Sequence, residues 1–518
     1  MKSSLSFVAA VLALPLIGQA ELKLPAIIND HMVLQQKQAN PLWGWDTPGA
    51  DVTVTLGDQV KTAKADDDGK WTVKLDAMDA NADPSTIVIE GSSKRVINDV
   101  LIGEVWMCSG QSNMGMSVNG DWKFEVETLA SNHPNLRLIS VPQVGTQELQ
   151  NDFRGQWEAA NSENCKTFSA VGFFYGRYLH EILDVPVGLI DNAWGGSSAE
   201  AWVRRETIES DPRFKSLIDG WVAREKDLQS DAAKEKHAVQ MAAWKEKAAA
   251  AKAAGKRAPR APRGPQSQLA GNHRPGNIFA GVVHPTLGYG IKGVIWYQGE
   301  SNAARAWEYG QLFPFMIEEW RKEWGQGNFP FYWVQLADFR AEVAQPGDSQ
   351  WAELRESQTK TMSLPNTGEA VIIDIGEGND IHPKNKYDVA ARLVRWALAK
   401  DYGINIEPQS PAFKSMNVNG SKAALKFDHI GGGLRTVDVN EVKGFAICGE
   451  DKKWVWADAK ITSGDTIQVW SDSVATPVAV RYAWAENPVC NVYAKNGLPM
   501  TPFRTDDFRM ITQPTMAP

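Results

Sequence analysis

Ser112 has the sequence surroundings of a nucleophile. It lies in residues 109–114 (SGQSNM), directly after the apolar segment 105–108. A serine on a sharp turn just past a strand end is displayed at the crevice of a parallel sheet, where ligands bind. The pattern is not the Gly-x-Ser-x-Gly elbow of α/β-hydrolases, because position 114 is Met. Turns are rich in serine and glycine, so this segment alone also fits a purely structural turn.

A histidine able to accept the serine proton follows another apolar segment, residues 370–373. The next residues, 374–383 (DIGEGNDIHP), contain Asp380 and His382. In an extended segment, residues two apart point to the same side, so both side chains can enter one crevice. A serine nucleophile needs an imidazole base, and the imidazole needs an acceptor that holds its tautomer. A loop Asp-x-His pair also fits a cap, a turn or a fragment of a metal site.

Two further segments offer donors for an oxyanion. Residues 191–197 (DNAWGGS) follow the apolar run 187–190, and residues 296–302 (WYQGESN) continue the run 294–297. Acyl transfer passes through a tetrahedral oxyanion, and losing one donor typically costs about 10²–10³ in rate. A glycine N–H and an asparagine amide are suitable donors. The structural alternatives are a tight turn at the two glycines and a helix cap at Asn302.

The elements that must position these residues form an α/β pattern. In the helical segment 387–400, apolar residues recur at helical spacing and predict a buried face. Alternating strands and helices favour a three-layer α/β/α domain with a central, mostly parallel sheet. The predicted strands are 105–108, 136–141, 187–190, 294–297, 331–336 and 370–373, and the predicted helices are 168–183, 312–324 and 387–400.

Two β-domains are predicted to flank this catalytic domain. Alternating apolar and polar residues indicate short strands in residues 21–97 and again in 404–518, which leaves 98–403 for the catalytic domain. An insertion at about 205–275 interrupts that domain: residues 222–253 are charged and alanine-rich, and a basic, proline-containing stretch follows. We favour a solvated helix with a stiff loop over a basic binding arm or a lid.

Composition limits the remaining function classes. A chain of 518 residues with net charge −8 is long enough for roughly three domains and does not favour a general nucleic-acid binder. The four cysteines and eight histidines show no zinc pattern, so neither a metal nor another cofactor is expected. Cys448 and Cys490 are either a disulfide or buried thiols.

The N-terminus predicts export. Lys2, an apolar core at 7–17 and small residues at 18–20 have the pattern of a signal peptide, residues 1–20. The core is shorter than the roughly 18–20 residues of a membrane anchor, and no other segment is apolar enough to span a bilayer. The mature chain is expected to begin near Glu21, to have no membrane attachment and to be secreted or periplasmic.

Taken together, the four motifs resemble the sialate O-acetylesterase family of SGNH hydrolases. The resemblance extends to both flanks, at residues 29–36, 481–488 and 502–506, and leaves out only the 222–265 insertion. It is highly specific for the enzyme class and weaker for the sugar, since acetylxylan esterases have a similar catalytic domain. The motifs are residues 110–114 (GQSNM), 194–197 (WGGS), 296–302 (WYQGESN) and 379–383 (NDIHP).

The resemblance implies a role for each site residue. Ser112 is the nucleophile, and His382 is the general base and then the general acid. The oxyanion donors are the Ser112 N–H, a glycine N–H, preferably that of Gly196 rather than its neighbour, and the Asn302 amide. Asp380 orients His382, so Asp380→Asn is expected to reduce turnover severely. In the wider superfamily, the acid of the triad is usually three residues before the histidine, where this chain has Asn379. Some relatives use a Ser–His dyad without an acid.

The implied reaction is hydrolysis of O-acetyl esters on a carbohydrate, first of all O-acetylated sialic acid. Trp194, Gln298 and Glu300 are predicted to line the sugar pocket. Glu300 is an alternative base, but an imidazole titrates closer to neutral pH. Alternatives are an acetylxylan or other polysaccharide O-acetylesterase, a hydrolase-like protein that only binds carbohydrate, and a lipase or serine protease.

Overall fold

A computed structural model describes residues 21–515 of the chain. The predicted signal peptide, residues 1–20, lies outside the described residues. Within 21–515, no helix is long and apolar enough to cross a membrane. The same residues contain no group of three or more His, Cys, Asp or Glu side chains placed to hold a metal ion.

The N-terminal part consists of antiparallel strands. In β3 and β5 every second side chain is buried, as the alternating sequence predicts, because successive residues of a strand face opposite sides. β2 pairs with β5, β3 with β4 and β6, and β6 with β7. The bounds are β1 (Val33–Gln35), β2 (Asn40–Trp45), β3 (Asp51–Leu56), β4 (Gln59–Lys64), β5 (Lys70–Leu75), β6 (Asn81–Glu90) and β7 (Lys94–Gly110).

Strand β7 belongs to two parts of the molecule at once. Its first half pairs antiparallel with β6, and its second half pairs in parallel with two strands of the central sheet. The division predicted after residue 97 therefore falls inside one continuous strand. The β-domain therefore leads directly into the central sheet along one strand, which ends at Gly110, two residues before Ser112.

The central domain alternates strands and helices, and its fold class is the predicted one. The parallel sheet has the order β13-β12-β11-β7-β10-β8, with β9 added antiparallel at the edge. The elements are α1 (Ser112–Gly115), α2 (Phe124–Leu129), β8 (His133–Ser140), β9 (Glu158–Ala160), α3 (Ala170–Leu183), β10 (Val187–Asp191), α4 (Arg205–Ser210), α5 (Lys215–Gln229), α6 (Asp231–Ala253), α7 (Pro265–Leu269), β11 (Gly293–Tyr297), α8 (Ala306–Trp324), β12 (Phe331–Val334), α9 (Gln350–Lys360), β13 (Thr367–Ala370) and α10 (Lys386–Lys400).

Both faces of this sheet are covered, which explains why its strands are apolar on both sides. Met107 packs into the core that contains α8, whereas its neighbours Trp106 and Cys108 pack into the core that contains α3 and α10. The predicted apolar positions of α10 are all buried. Helix α8 begins at Ala306, six residues before the predicted start, because its first turn continues from the motif after β11.

The last parallel strand begins and ends three residues earlier than predicted. Residues 370–373 were expected to form it, but β13 ends at Ala370. Its partner β12 ends at Val334, so the following residues have no strand to pair with. Val371 and Ile373 instead pack into the core of the C-terminal part, which accounts for their apolar character.

The C-terminal part is entirely antiparallel. Two four-stranded sheets and one two-stranded ladder surround a separate apolar core. Cys448, Cys490 and the other two cysteines are free thiols in the structure. The strands are β14 (Ala412–Asn419), β15 (Lys422–Asp428), β16 (Leu434–Thr436), β17 (Phe445–Cys448), β18 (Val455–Trp456), β19 (Asp458–Ser463), β20 (Thr466–Trp470), β21 (Ala479–Tyr482), β22 (Val492–Ala494) and β23 (Phe503–Arg504).

The insertion contains helices α4 to α7. None of the residues of α6 is buried, which agrees with the favoured interpretation of a solvated helix. Helix α5 differs, because it buries Ile218, Trp221 and Leu228. One face of α5 therefore packs on the rest of the domain.

A buried acid in β13 predicts pH-dependent stability. Trp333 and Thr359 donate hydrogen bonds to Glu369, but burial raises its pKa from 4.5 to about 7. Between these pH values the folded state binds the proton more tightly than the unfolded state, so this residue's contribution to stability falls as pH rises through that window. Glu369→Gln should therefore raise the melting temperature at pH 8, and the gain should shrink at pH 5.

Thermal unfolding at the two pH values measures this effect, with Glu318→Gln on the exposed side of α8 as the control. Each pKa unit corresponds to about 1.4 kcal/mol, so the difference at pH 8 is large enough to resolve. A variant less stable than the wild type at pH 8 would show that the hydrogen bonds to the ionised carboxylate outweigh its burial.

Candidate active site

Ser112 lies at the point where the order of the sheet reverses. β7 has β10 on one side and β11 on the other, so the loops after these strands meet at the carboxyl end of β7. The turn requires Gly110, whose φ is +131° and whose added Cβ would lie 2.3 Å from the Tyr297 carbonyl oxygen. Ser112 is then the first residue of α1, and such a residue has no intrahelical partner for its backbone N–H.

The structure brings His382 to Ser112. The serine Oγ and the histidine Nε2 are 2.8 Å apart and hydrogen-bonded, although 270 residues separate them in sequence. Both side chains are partly exposed. This contact lets the imidazole take the hydroxyl proton as the oxygen attacks an ester carbonyl.

The loop that carries His382 is fixed at its start. Arg392 of α10 binds Asp374, with a distance of 2.7 Å from Nη2 to Oδ2, and Tyr493 of β22 donates to the same oxygen at 3.0 Å. The Gly376 N–H donates to Asp338 Oδ1 at 2.6 Å. The C-terminal β-domain therefore contributes to holding the histidine loop.

Asp380 is close to His382 but contacts mainly its backbone. Its Oδ1 accepts the His382 backbone N–H at 2.9 Å and lies 3.5 Å from Nδ1. Its side chain is 44% exposed, whereas the acid of a catalytic triad is usually buried. Its role as orienter of the ring stays a prediction, and the geometry gives it a smaller effect than the motif alone suggests.

We expect Asp380→Asn to lower kcat/KM by about tenfold or less. The amide oxygen still accepts the His382 N–H, and an exposed charge pair is worth at most about 1 kcal/mol. Acetate release from an acetylated sugar measures the effect, with the exposed neighbour Asn379→Ala as the control. A loss of 10³-fold or more would restore Asp380 as the third member of a full triad.

The glycine loop after β10 lies against the nucleophile. The Trp194 N–H donates to the Gly110 carbonyl at 2.9 Å, which anchors the loop to β7. A Cβ added to Gly195 would lie 3.4 Å from Ser112 Cβ, so this glycine packs directly on the serine. Gly196 has a φ of +70°, and its nearest neighbour is Asn272. Both glycines are at the site, and the assignment of Gly196 as the donor stays a prediction.

Asn302 has partners on both ends of its amide. Its Oδ1 accepts from the Ala199 N–H at 3.0 Å and from Gln298 Nε2 at 2.8 Å, and its Nδ2 donates to Glu200 Oε2 at 3.0 Å. The residue is only 1% exposed. An oxyanion role for Asn302 therefore depends on the second amide hydrogen and stays a prediction.

Of the three residues predicted to line the sugar pocket, the structure contradicts one. Gln298 is fully buried, and its Nε2 also donates to the Ser197 carbonyl. Through this hydrogen bond it stabilises the glycine loop, and its side chain does not face a substrate. Trp194 and Glu300 are partly exposed, and their contact with sugar stays a prediction.

A buried polar group that the sequence did not indicate connects the serine to the histidine loop. Asn113 donates to Glu300 Oε1 at 2.6 Å and to the Ile381 carbonyl at 3.0 Å, and it accepts from Lys386 Nζ at 2.6 Å. Burial lowers the pKa of Lys386 to about 7 and raises that of Glu300. Asn113, directly after Ser112, is thus hydrogen-bonded to the residue directly before His382, and the only sequence signal was its place in the serine motif.

Known proteins resemble this chain over nearly its whole length. Residues 281–389 match a family described as "Carbohydrate esterase, sialic acid-specific acetylesterase", and residues 415–507 match "Sialate O-acetylesterase C-terminal domain". Sialate O-acetylesterase of Pongo abelii is 30% identical over 95% of this chain and 95% of its own length. The human enzyme is 29% identical over the same shares.

Solved structures agree with this relationship. A carbohydrate acetylesterase from Xanthomonas citri is 36% identical, covers 94% of this chain and 100% of its own, and superimposes with a TM-score of 0.79. The fold and the sequence therefore point to the same class of enzyme. The chain belongs to the sialate O-acetylesterase family and is a carboxylic ester hydrolase that acts on O-acetylated sugars.

Proposed function

We propose that this protein is an exported serine esterase that removes acetyl groups from O-acetylated sialic acid. The observation that carries the proposal is the 2.8 Å contact between Ser112 Oγ and His382 Nε2, at the carboxyl end of the central sheet. We choose this substrate because several of the named relatives are sialate O-acetylesterases.

In the first half of the proposed reaction, the acetyl group moves to the enzyme. Ser112 Oγ attacks the acetyl carbonyl while His382 Nε2 takes the hydroxyl proton. The Ser112 N–H and a glycine N–H of the loop after β10 stabilise the negative oxygen of the tetrahedral intermediate. The intermediate collapses, the sugar oxygen leaves with the proton from His382, and an acetyl-serine remains.

In the second half, water releases the acetate. His382 removes a proton from a water molecule, which attacks the acetyl-serine carbonyl. A second tetrahedral intermediate collapses, Ser112 recovers its proton from the imidazole, and acetate departs. The hydrogen bonds of Asn113 keep Ser112 and the histidine loop in the same relative position during both halves of the reaction.

The experiment that tests the substrate compares two acetylated carbohydrates. Acetate release from O-acetylated N-acetylneuraminic acid and from acetylated xylan is measured in parallel with the same enzyme preparation. Preference for the sialic acid supports the proposal. Release from xylan alone keeps the mechanism and transfers the substrate to a plant polysaccharide, the second candidate.

Export is the part of the proposal that depends on residues 1–20. Their pattern of Lys2, an apolar core and small residues is that of a cleaved signal peptide. N-terminal sequencing of the protein from culture medium or periplasm should begin near Glu21. An intact N-terminus on protein found in the cytoplasm would contradict export.

A further inference from the structure

A cavity of about 580 Å³ lies beside the glycine loop, and nothing in the proposed mechanism uses it. Its volume is within the range of small-molecule sites. Polar side chains from four parts of the chain converge on it. Its lining includes Ser198, Glu200, Trp221, Arg224, His273 and Arg305.

The wall of this cavity is continuous with the catalytic site. Gly195 packs on Ser112, and its carbonyl accepts a hydrogen bond from Asn272 Nδ2 at 2.5 Å. The next residue, His273, lines the cavity and is hydrogen-bonded through Nδ1 to Ser198 Oγ at 2.6 Å. Asn272 therefore contacts the glycine loop, and its neighbour His273 lines the cavity.

The insertion supplies the opposite wall. Leu217, Gly220, Trp221 and Arg224 of α5 all line the cavity. Their spacing of three and four residues places them on one face of the helix. The guanidinium of Arg224 lies over the Trp221 ring, 5.0 Å from its centroid. The amphipathic helix of the insertion thus faces the cavity, in contrast to the solvated α6.

Of the two arginines that line the cavity, one is ion-paired and the other is not. Arg305 is paired with Glu200, at 2.6 Å, and with Glu308. Burial lowers the pKa of His273. Arg224 is exposed, and within residues 21–515 it has no carboxylate partner and only a long hydrogen bond of 3.5 Å to Gln268. Arg224 is therefore the arginine of the lining that is available to bind the carboxylate of a ligand.

We propose that Arg224 binds the carboxylate of the acidic sugar whose acetyl ester Ser112 cleaves. The inference rests on the proposed function and names the subsite that recognises a sugar acid. A planar guanidinium binds a carboxylate through two parallel hydrogen bonds, and stacking on Trp221 holds its plane. A sialic acid has its carboxylate at one end and a hydroxyl-bearing side chain at the other. A carboxylate held in the cavity leaves the acetylated end for the serine.

The test measures kcat/KM for O-acetylated N-acetylneuraminic acid and for the methyl ester of its carboxyl group. The wild type should prefer the acid by about tenfold to a hundredfold, the usual value of a hydrogen bond to a charged group. Arg224→Gln should reduce this ratio to about one, mainly through a higher KM for the acid. Lys226→Gln, an exposed change two positions along the same helix, should keep the wild-type ratio.

Each outcome decides between the proposals. A wild type that cleaves both sialate substrates with equal efficiency overturns the carboxylate subsite and leaves the proposed function intact. A variant that loses the same factor on both substrates shows that Arg224 acts only through the shape of the cavity, which also overturns it. A wild type that cleaves neither substrate but releases acetate from xylan contradicts the proposed function and the subsite together.

Discussion

Ser112→Ala is expected to reduce kcat for acetate release by about 10⁴-fold or more while the protein remains folded. Removing Oγ removes the atom that forms the acetyl-enzyme, and loss of a serine nucleophile has effects of this order in other hydrolases. The backbone N–H groups around the site are unchanged, so the residual rate reports what positioning and the oxyanion donors supply alone. The measurement is acetate release under saturating substrate.

Ser117→Ala is a matched control for this variant. Ser117 lies five positions further along the chain, is partly exposed and makes no side-chain capping bond. It should retain full activity. Near-normal turnover in Ser112→Ala would contradict the serine mechanism and favour direct attack by water, with another base in the site.

His382→Ala has the second largest expected effect, a loss of about 10⁴-fold in kcat/KM. Its Nε2 is hydrogen-bonded to Ser112 Oγ, and without it the hydroxyl must lose its proton to water. Both halves of the reaction use the same imidazole, so both become slow. The measurement is again acetate release, extended to a series of pH values and added imidazole.

The pH series separates a base from a structural residue. With His382→Ala, rate should rise with pH as hydroxide replaces the missing base, and added imidazole should restore part of the activity. The variant Asn379→Ala, on the same loop, should show neither effect. A His382→Ala enzyme with at least a tenth of the wild-type rate would exclude this residue as the general base.

The meeting of Ser112 with the glycine loop and the Asn302 motif could be predicted from sequence for a topological reason. Ser112 follows β7, and the glycine loop and the Asn302 motif follow β10 and β11, its two neighbours in the sheet. Parallel strands bring their carboxyl ends to one edge, so motifs after neighbouring strands meet there. His382 required the family resemblance, because its segment leaves the ladder after Ala370 and reaches Ser112 along a loop.

The supporting residues could not be predicted, because burial of polar groups is not visible in local sequence. Lys386 looks like an ordinary first residue of a helix, yet it is buried and binds Asn113. Gln298 was expected to face sugar because it neighbours Asn302, but its side chain points into the protein. The place of Arg224 at the cavity could not be predicted either, since only the packing of α5 shows which face of that helix lines it.

The central claim is that Ser112 carries the acetyl group during turnover, and mass analysis of the quenched enzyme tests it most directly. The enzyme is mixed with excess O-acetylated substrate, stopped in acid within one turnover and digested. We predict the added mass of one acetyl group on the peptide that contains Ser112, in the wild type and in Ser117→Ala alike. The corresponding peptide of Ser112→Ala should have no added acetyl group. Acetate release without any acetylated Ser112 peptide, at time points where turnover is under way, would contradict the account.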